Sequence, residues 1–282
     1  MDLSIIIVSW QAKEKLKKNL ESIYGNKHNF SYEVFVVDNN SSDGSREMIE
    51  NEFPQVKLIA NEENLGFSKA CNQAIKESMG DNILLLNPDM YLLKDTLEKS
   101  LQIAQKNPEI TVFGIKLVDE KGKVVLQARR FPKLFDQLMI VLKIHHIFPK
   151  ILNNYLNKNF NYNRQAIVDS IRGSYFFINK NSWQKISQKD LPLLDERYFL
   201  WFEEVDFCRQ VYENNGKVGY FPDVKAVDSV GFSFSQVNTR KKQEYFRDSM
   251  LTYFKKWHSG FSYYVLKIAW FFVISFFIFK KK

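Results

Sequence analysis

Short apolar runs alternate with amphipathic stretches over the first hundred residues, and the runs end in small polar or acidic residues. Leu3 to Val8 predicts a buried strand. Lys13 to Tyr24 predicts a basic amphipathic helix, with Gly25 as its stop. Glu33 to Val37 predicts a second strand, ending at Asp38, and Asp43 to Asn51 a short helix capped by Ser41 or Ser42. Strands follow over Val56 to Ala60 and Ile83 to Leu86, and helices over Leu65 to Met79 and Asp95 to Lys106. Strands buried on both faces read as continuous apolar runs. The alternation therefore predicts an α/β fold with a Rossmann-like, mostly parallel sheet flanked by helices. Right-handed crossovers would gather Ser9-Trp10, Asp38-Asn39-Asn40 and Asn87-Pro88-Asp89 on one edge. Ligands of open α/β sheets bind at that edge.

After Lys116 the alternation breaks down. Lys121 to Arg164 is strongly basic and holds an apolar stretch from Leu134 to Leu156, interrupted by Pro149. Two readings stay open for it: a core helix pair, or a basic apolar flap over 121–164 that faces a membrane or an acceptor. Ile171 to Asn179 predicts a strand with Gly173-Ser174 at its start, and Glu203 to Asn214 a helix stopped by Gly216. Tyr263 to Phe279 is apolar except for Lys267 and leads into Lys280-Lys281-Lys282. That is near the lower limit of the ~20 residues that usually span a bilayer. It predicts either a buried terminal helix or a membrane-inserted or interfacial one, with aromatic residues and lysines at headgroup level. The chain thus divides into a domain over 1–240 and a helical tail over 241–282 that is a candidate membrane anchor.

Composition narrows the partners. The 282 residues carry a net charge of +8, which suits an anionic membrane surface or a phosphorylated substrate. The basic residues form no recognised nucleic-acid motif, so no nucleic-acid partner is expected. Cys71 and Cys208 lack metal-ligand spacing and read as reduced, buried thiols. Met1-Asp2-Leu3 runs straight into a strand-like segment, so no signal peptide is expected.

Four constellations carry candidate chemistry. Asp38, at a strand end before Asn39-Asn40-Ser41-Ser42-Asp43-Gly44-Ser45, can accept a ring N–H or a ribose hydroxyl; an ordinary capped turn has the same residues. Asn64-Leu65-Gly66-Phe67 opens a helix, where Asn64 can cap and Gly66 can admit phosphate oxygens to the first turn. Asp89 ends the Leu84-Leu85-Leu86-Asn87-Pro88-Asp89 strand, well placed to hold a hard cation against a phosphate. Leu194 to Arg209 crowds aromatic residues beside Asp195, Glu196, Glu203, Glu204 and Asp206. Acids in a first helical turn also answer the helix dipole, but an apolar wall can tune one of them as a general base.

In this order, from Leu3 to about Ser233, the four elements resemble the family 2 glycosyltransferases of the GT-A fold, in particular the rhamnosyltransferase-like branch. Val37 to Ser45, Asn64 to Asn72, Leu84 to Asp89, Gly173-Ser174, Leu194 to Phe199 and Glu203 to Arg209 carry the likeness. The resemblance implies an inverting enzyme that moves a sugar, rhamnose in that branch, from a nucleotide-diphosphate donor to a glycan or lipid-linked acceptor of cell-surface polysaccharide. By it, Ser9, Asp38 and Asn40 would touch the nucleotide, and Gly66 and Asn72 its ribose and phosphate side. Asp89, with Asp228, would hold Mg²⁺ or Mn²⁺. Gly173, Ser174 and Glu203 would border the sugar and acceptor. Glu204 would be the base, with Asp206 on the same turn as its substitute. The basic flap and apolar tail imply work at the cytoplasmic face of the cell membrane, peripherally or through a C-terminal anchor.

Two positions depart from the family pattern. Glu204 stands where the family has Asp, extending the reach of the base by about 1.5 Å. Asp228, in Asp228-Ser229-Val230-Gly231-Phe232-Ser233, stands where the family has His, which makes the ligand set harder and more negative. The alternative they raise is a catalytically weakened, membrane-bound protein that binds nucleotide sugars or glycans.

Overall fold

The computed structural model describes residues 1–229 and 239–279. Val230 to Ser233 of the Asp228 motif and the terminal Lys280-Lys281-Lys282 lie outside the described residues. The strands are β1 (Leu3–Ser9), β2 (Tyr32–Asp38), β3 (Lys57–Ala60), β4 (Asn82–Leu86), β5 (Met90–Leu92), β6 (Ile110–Val118), β7 (Ala166–Ile167), β8 (Tyr175–Asn179) and β9 (Lys217–Asp228). The helices are α1 (Lys13–Tyr24), α2 (Ser45–Glu52), α3 (Phe67–Glu77), α4 (Thr96–Lys106), α5 (Leu134–Val141), α6 (Lys180–Ser187), α7 (Glu203–Glu213), α8 (Thr239–Trp257) and α9 (Gly260–Phe279).

One sheet runs β3-β2-β1-β4-β8-β6-β9-β5, with β7 added beside β9. β1, β2, β3, β4, β6 and β9 point one way, and β5, β7 and β8 the other. The chain leaves β1 toward β2 and β3, then returns to the far side of β1 as β4. That reversal is a topological switch point, and it opens a crevice at the strand C-termini. β8 enters beside the end of β4, and Asn87 N–H donates to Ser174 O at 3.0 Å. The end of β9 meets the start of β5, pairing Met90 with Asp228. The predicted edge thus gathers residues from beyond the first hundred as well.

Side-chain alternation builds two apolar layers. Leu3, Ile5 and Ile7 of β1 pack with Leu16 and Leu20 of α1 and Leu97 and Leu101 of α4. Ile6 and Val8 face the other way, onto Ala70 and Ile75 of α3 and Phe207 and Val211 of α7. Trp183 of α6 stacks on Phe207 with ring centroids 4.6 Å apart. Cys71 and Cys208 are buried in this second layer and form no disulfide.

Two local expectations are revised. The predicted cap of α2 is absent: Gly44 is its N-cap, and Ser41 and Ser42 bond Gln11 instead. Asp43 is the fastener there, accepting from Ser45 N and from Lys13 N. The stretch from Leu134 to Leu156 is one short helix, α5, followed by two 3-10 turns.

The tail packs on the domain. Met250, Tyr253 and Phe254 of α8 and Leu266 and Trp270 of α9 join Val141, Phe202 and Val205 in a third apolar cluster. Among the described residues, no helix is long and apolar enough to cross a membrane.

Candidate functional site

The strand ends and the start of α7 enclose a cleft of about 760 Å³. Val8, Trp10, Asn39, Asn87 and Pro88 line it from β1, β2 and β4, and Gly173, Ser174, Glu203 and Glu204 from the opposite side.

Asp38 is fully buried at the end of β2. One carboxylate oxygen accepts from Ser41 N at 3.0 Å and Arg46 Nε at 2.7 Å, while the other has no partner. Ser9, paired with Asp38 in register, has an equally buried hydroxyl without a partner. Of the two asparagines that follow, Asn39 rather than the expected Asn40 lines the cleft. Asn39 Nδ2 donates to Gly66 O at 3.1 Å, whereas Asn40 is exposed with φ +65°.

Gly66 has φ +82°, and a Cβ there would lie 2.5 Å from Phe199 O. Only glycine fits against the Phe199 backbone, and Gly66 also lines the cleft, as do Asn64 and Phe67. The next amide, Phe67 N–H, donates to Phe199 O at 2.7 Å, so the first helical donor is already used. Asn64 accepts from Gly66 N in the turn before α3 and does not cap the helix. Asn72, expected at the ribose, is buried elsewhere. Its amide donates to Leu194 O and accepts from Leu194 N, pinning the 194–202 loop onto α3.

Asp89 and Asp228 come together where β5 and β9 pair, and Ser229 N–H donates to Asp89 O. Both side chains are almost completely buried, and each keeps one oxygen without a hydrogen-bond partner. Burial, then repulsion from Asp228, pushes the Asp89 carboxyl up to about 6. Burial also raises Asp228, opposed by Arg172 and a hydrogen bond from Ser174. Arg172 Nη1 lies 3.8 Å from Asp228 Oδ2, so a cation stands beside the residue that departs from the family pattern. Two buried carboxylates with unpartnered oxygens suit a hard divalent cation.

Glu203 and Glu204 open α7 after Trp201 and Phe202, both in the left-handed region with φ 67° and 68°. That conformation is costly for bulky side chains, and here it aims the first turn of α7 at the cleft. Glu204 is enclosed except on its cleft side, and its Oε2 has no partner. Burial raises it, opposed by Arg129 and Arg172. Glu203 is raised further by burial and by Glu204. Gly173 is a neighbour of Glu204: a Cβ at 173 would meet Glu204 Cβ at 3.7 Å, an ordinary contact.

Asp206 faces away from the cleft. Its oxygens accept from Tyr198 Oη (3.0 Å), Gln210 Nε2 (2.8 Å), Lys256 Nζ (2.8 Å) and Trp257 Nε1 (2.6 Å). With four donors and no exposure it ties α7 to α8, and it is not placed to substitute for Glu204.

Arg129, Arg172 and Asn19 went unnoticed in the sequence. Arg129 and Arg172 line the cleft, and Asn19 Nδ2 holds Asn87 O at 2.9 Å. Asn19 lies on the buried face of α1 with Leu16, Leu20 and Ile23, and a polar residue in such a stripe is the available signal.

Fold and cleft define a Rossmann-like α/β protein built to bind at its switch point. The family model of glycosyl transferase family 2 matches residues 4–183, and the chain belongs to that family. It is 25% identical over 236 residues to the low-salt glycan biosynthesis hexosyltransferase of Haloferax volcanii, covering 80% of this chain and 66% of that one. It is also 25% identical over 204 residues to the N-acetylglucosaminyl-diphospho-decaprenol L-rhamnosyltransferase of Mycobacterium tuberculosis, covering 66% and 62%. The chain therefore spans about two thirds of the length of these relatives. The mannosyltransferase of Pyrobaculum calidifontis, in complex with GDP-Man and Mn²⁺, shares the fold with a TM-score of 0.56. That match is 14% identical and covers 90% of this chain and 63% of that one.

Proposed function

We propose that this protein is an inverting, metal-dependent glycosyltransferase. It takes a sugar from a nucleotide-diphosphate donor and places it on a glycan or lipid-linked acceptor of the cell surface, at the cytoplasmic face of the membrane. Association is peripheral or through the C-terminal tail. Rhamnose is a candidate sugar, on the strength of the mycobacterial relative. The observation that carries the proposal is the cleft at the strand ends, lined by Asn39, Asn87, Gly173, Ser174, Glu203 and Glu204, with the buried Asp89 and Asp228 brought together by the β5–β9 pairing.

In this reading the base and ribose lie over Ser9, Asp38 and Asn39, where Asp38 Oδ1 accepts a ring N–H or a hydroxyl. Asp89 and Asp228 would hold Mg²⁺ or Mn²⁺, which when bound offsets diphosphate charge and stabilises the leaving group. Arg172 returns positive charge beside Asp228 and lines the same cleft. Glu204, which lines the cleft, takes the proton of the acceptor hydroxyl on its carboxylate. A carboxyl raised by burial is a stronger base, and Arg129 and Arg172 limit the rise so that it still ionises.

Turnover of nucleotide sugars, with and without Mn²⁺, tests the proposal. Glu204→Gln is expected to lower kcat about 10²–10⁴-fold with donor KM little changed. Full activity of that variant rejects the base. Donor binding without turnover in the unmodified protein would favour the weakened binding protein instead.

A further inference from the structure

Helix α1 grips the Asn87-Pro88-Asp89 turn at both ends. Asn19 Nδ2 donates to Asn87 O at 2.9 Å, where the turn begins. Ser22 Oγ accepts from Leu92 N at 3.0 Å, where β5 ends, and donates to Asn19 O at 2.7 Å. Three positions apart, the two side chains share one face of the helix. The turn closes on itself through Met90 N–H, which donates to Asn87 O at 3.2 Å, and Pro88 has no N–H to add. Asp89 lies between the two held ends, and its own carbonyl accepts from Ser229 N at 3.1 Å.

Asn19 is a costly residue for its place. It is fully buried in the stripe of Leu16, Leu20 and Ile23, and its Oδ1 has no hydrogen-bond partner among the described residues. A buried acceptor left unpaired destabilises a fold. Leucine has the same branched shape and would complete the stripe. Asn87 O keeps Met90 N–H as a donor in either case, so the backbone is satisfied without the amide. What the amide adds is a fixed position for the start of the turn. That matters because the β5–β9 pairing sets Asp89 beside Asp228, both buried. Two like charges drive each other apart until a cation joins them. A loose turn relieves the repulsion by moving Asp89 away and gives up the shared ion, whereas a turn held at both ends does not.

We infer that Asn19 and Ser22 are positioning residues for the divalent cation. They touch neither ion nor substrate. They act through the turn, keeping Asp89 beside Asp228 against their mutual repulsion, so that the pair is set for a metal before one arrives. Partners one step removed from a metal ligand tune its affinity in this way. The inference rests on the metal-assisted reading and deepens it by naming what holds the ligand pair together.

The test is Mn²⁺ binding by the full chain at pH 8 without donor, read from the EPR signal of free Mn²⁺, beside a melting curve taken without metal. Asp89→Asn gives the background of binding elsewhere. Asn19→Leu is expected to weaken Mn²⁺ about tenfold to a hundredfold, while its metal-free Tm is no lower than that of the parent. Ser22→Ala should weaken Mn²⁺ in the same direction, and Ser22→Thr, which keeps the hydroxyl, should bind as the parent does. If Asn19→Leu does not fold, the contrast between Ser22→Ala and Ser22→Thr decides. Parent-like Mn²⁺ affinity in Asn19→Leu, or in Ser22→Ala, overturns the inference. So does weaker binding that comes with earlier metal-free melting, because the two residues would then serve folding alone. Mn²⁺ binding by the parent without sugar transfer rejects the enzymatic reading and leaves the clamp standing. A parent that binds no more Mn²⁺ than Asp89→Asn rejects the metal site and the clamp together.

Discussion

Asp89 holds its proton more tightly in the folded chain than in the unfolded one. Its carboxyl is pushed from 3.8 up to about 6, a difference of about 3 kcal/mol. The folded state binds more protons at this site, so the contribution of Asp89 to stability is fully present below about pH 4 and is lost as pH rises through about 6. At pH 8 the charged pair with Asp228 costs stability until a cation or ligand offsets it. Asp89→Asn is expected to raise Tm at pH 8 in the absence of metal and donor, and to abolish transfer. A variant that melts earlier than the parent at pH 8 would contradict the repulsion. Gly66 makes the opposite case: with φ +82° and Phe199 O in the way, Gly66→Ala is strained by backbone and by contact together. It should cost about 2–4 kcal/mol in urea unfolding, and it should displace the loop before α7.

At the scale of elements, α7 is the piece that must be held. Its first turn presents Glu203 and Glu204, and its remaining acid, Asp206, faces the opposite way to Lys256 and Trp257 of α8. Lys256 also reaches Asp195 at 3.0 Å, in the loop that Asn72 pins to α3. One lysine of the tail thus secures both the loop before α7 and α7 itself. Removing one member of a buried ion pair leaves the other charge stranded. Lys256→Ala should therefore destabilise the chain by about 3 kcal/mol. It should also lower kcat through misplacement of Glu204, while donor binding near Asp38 is largely retained. Equal kcat in the variant would separate the clamp from catalysis.

For the whole molecule, the cleft is a meeting of distant parts: β1 and β2, the β4–β5 turn, the start of β8, the start of α7 and Tyr245 of α8. A ligand that touches all of them binds the folded chain and not the unfolded one. At a hundredfold excess over Kd that linkage adds about 2.7 kcal/mol. A nucleotide-diphosphate sugar with Mn²⁺ should raise Tm by several degrees. Chelation of the metal should remove most of the shift, and Asp89→Asn should be blind to the metal. A full shift in the presence of chelator would remove the metal from the proposal.

The sequence by itself determined the parallel half of the sheet. Strands β1, β2 and β4 are buried on both faces, so each is a largely apolar run, whereas β3 is a half-exposed edge strand; the helices between them carry a clear stripe, and α1 was legible to both ends, Lys13 and Tyr24. β9 was missed because Pro222 interrupts it, which argues against a central strand. The irregular register between β6 and β9 at Ile115/Lys116 accommodates the interruption. β5, with three residues, is too short to show a period. The candidate residues at strand ends, Asp38 and Asp89, could be named because the strand pattern itself locates the edge. The others were decided only in three dimensions. Asn72 meets Leu194 across 122 positions, and Asp206 meets Trp257 across 51. A buried amide or carboxylate takes whichever donors folding brings to it, and periodicity along the chain does not encode those partners. So the sequence located the binding edge and the helix that faces it. Only the tertiary structure decided that Glu204 looks into the cleft and Asp206 away from it.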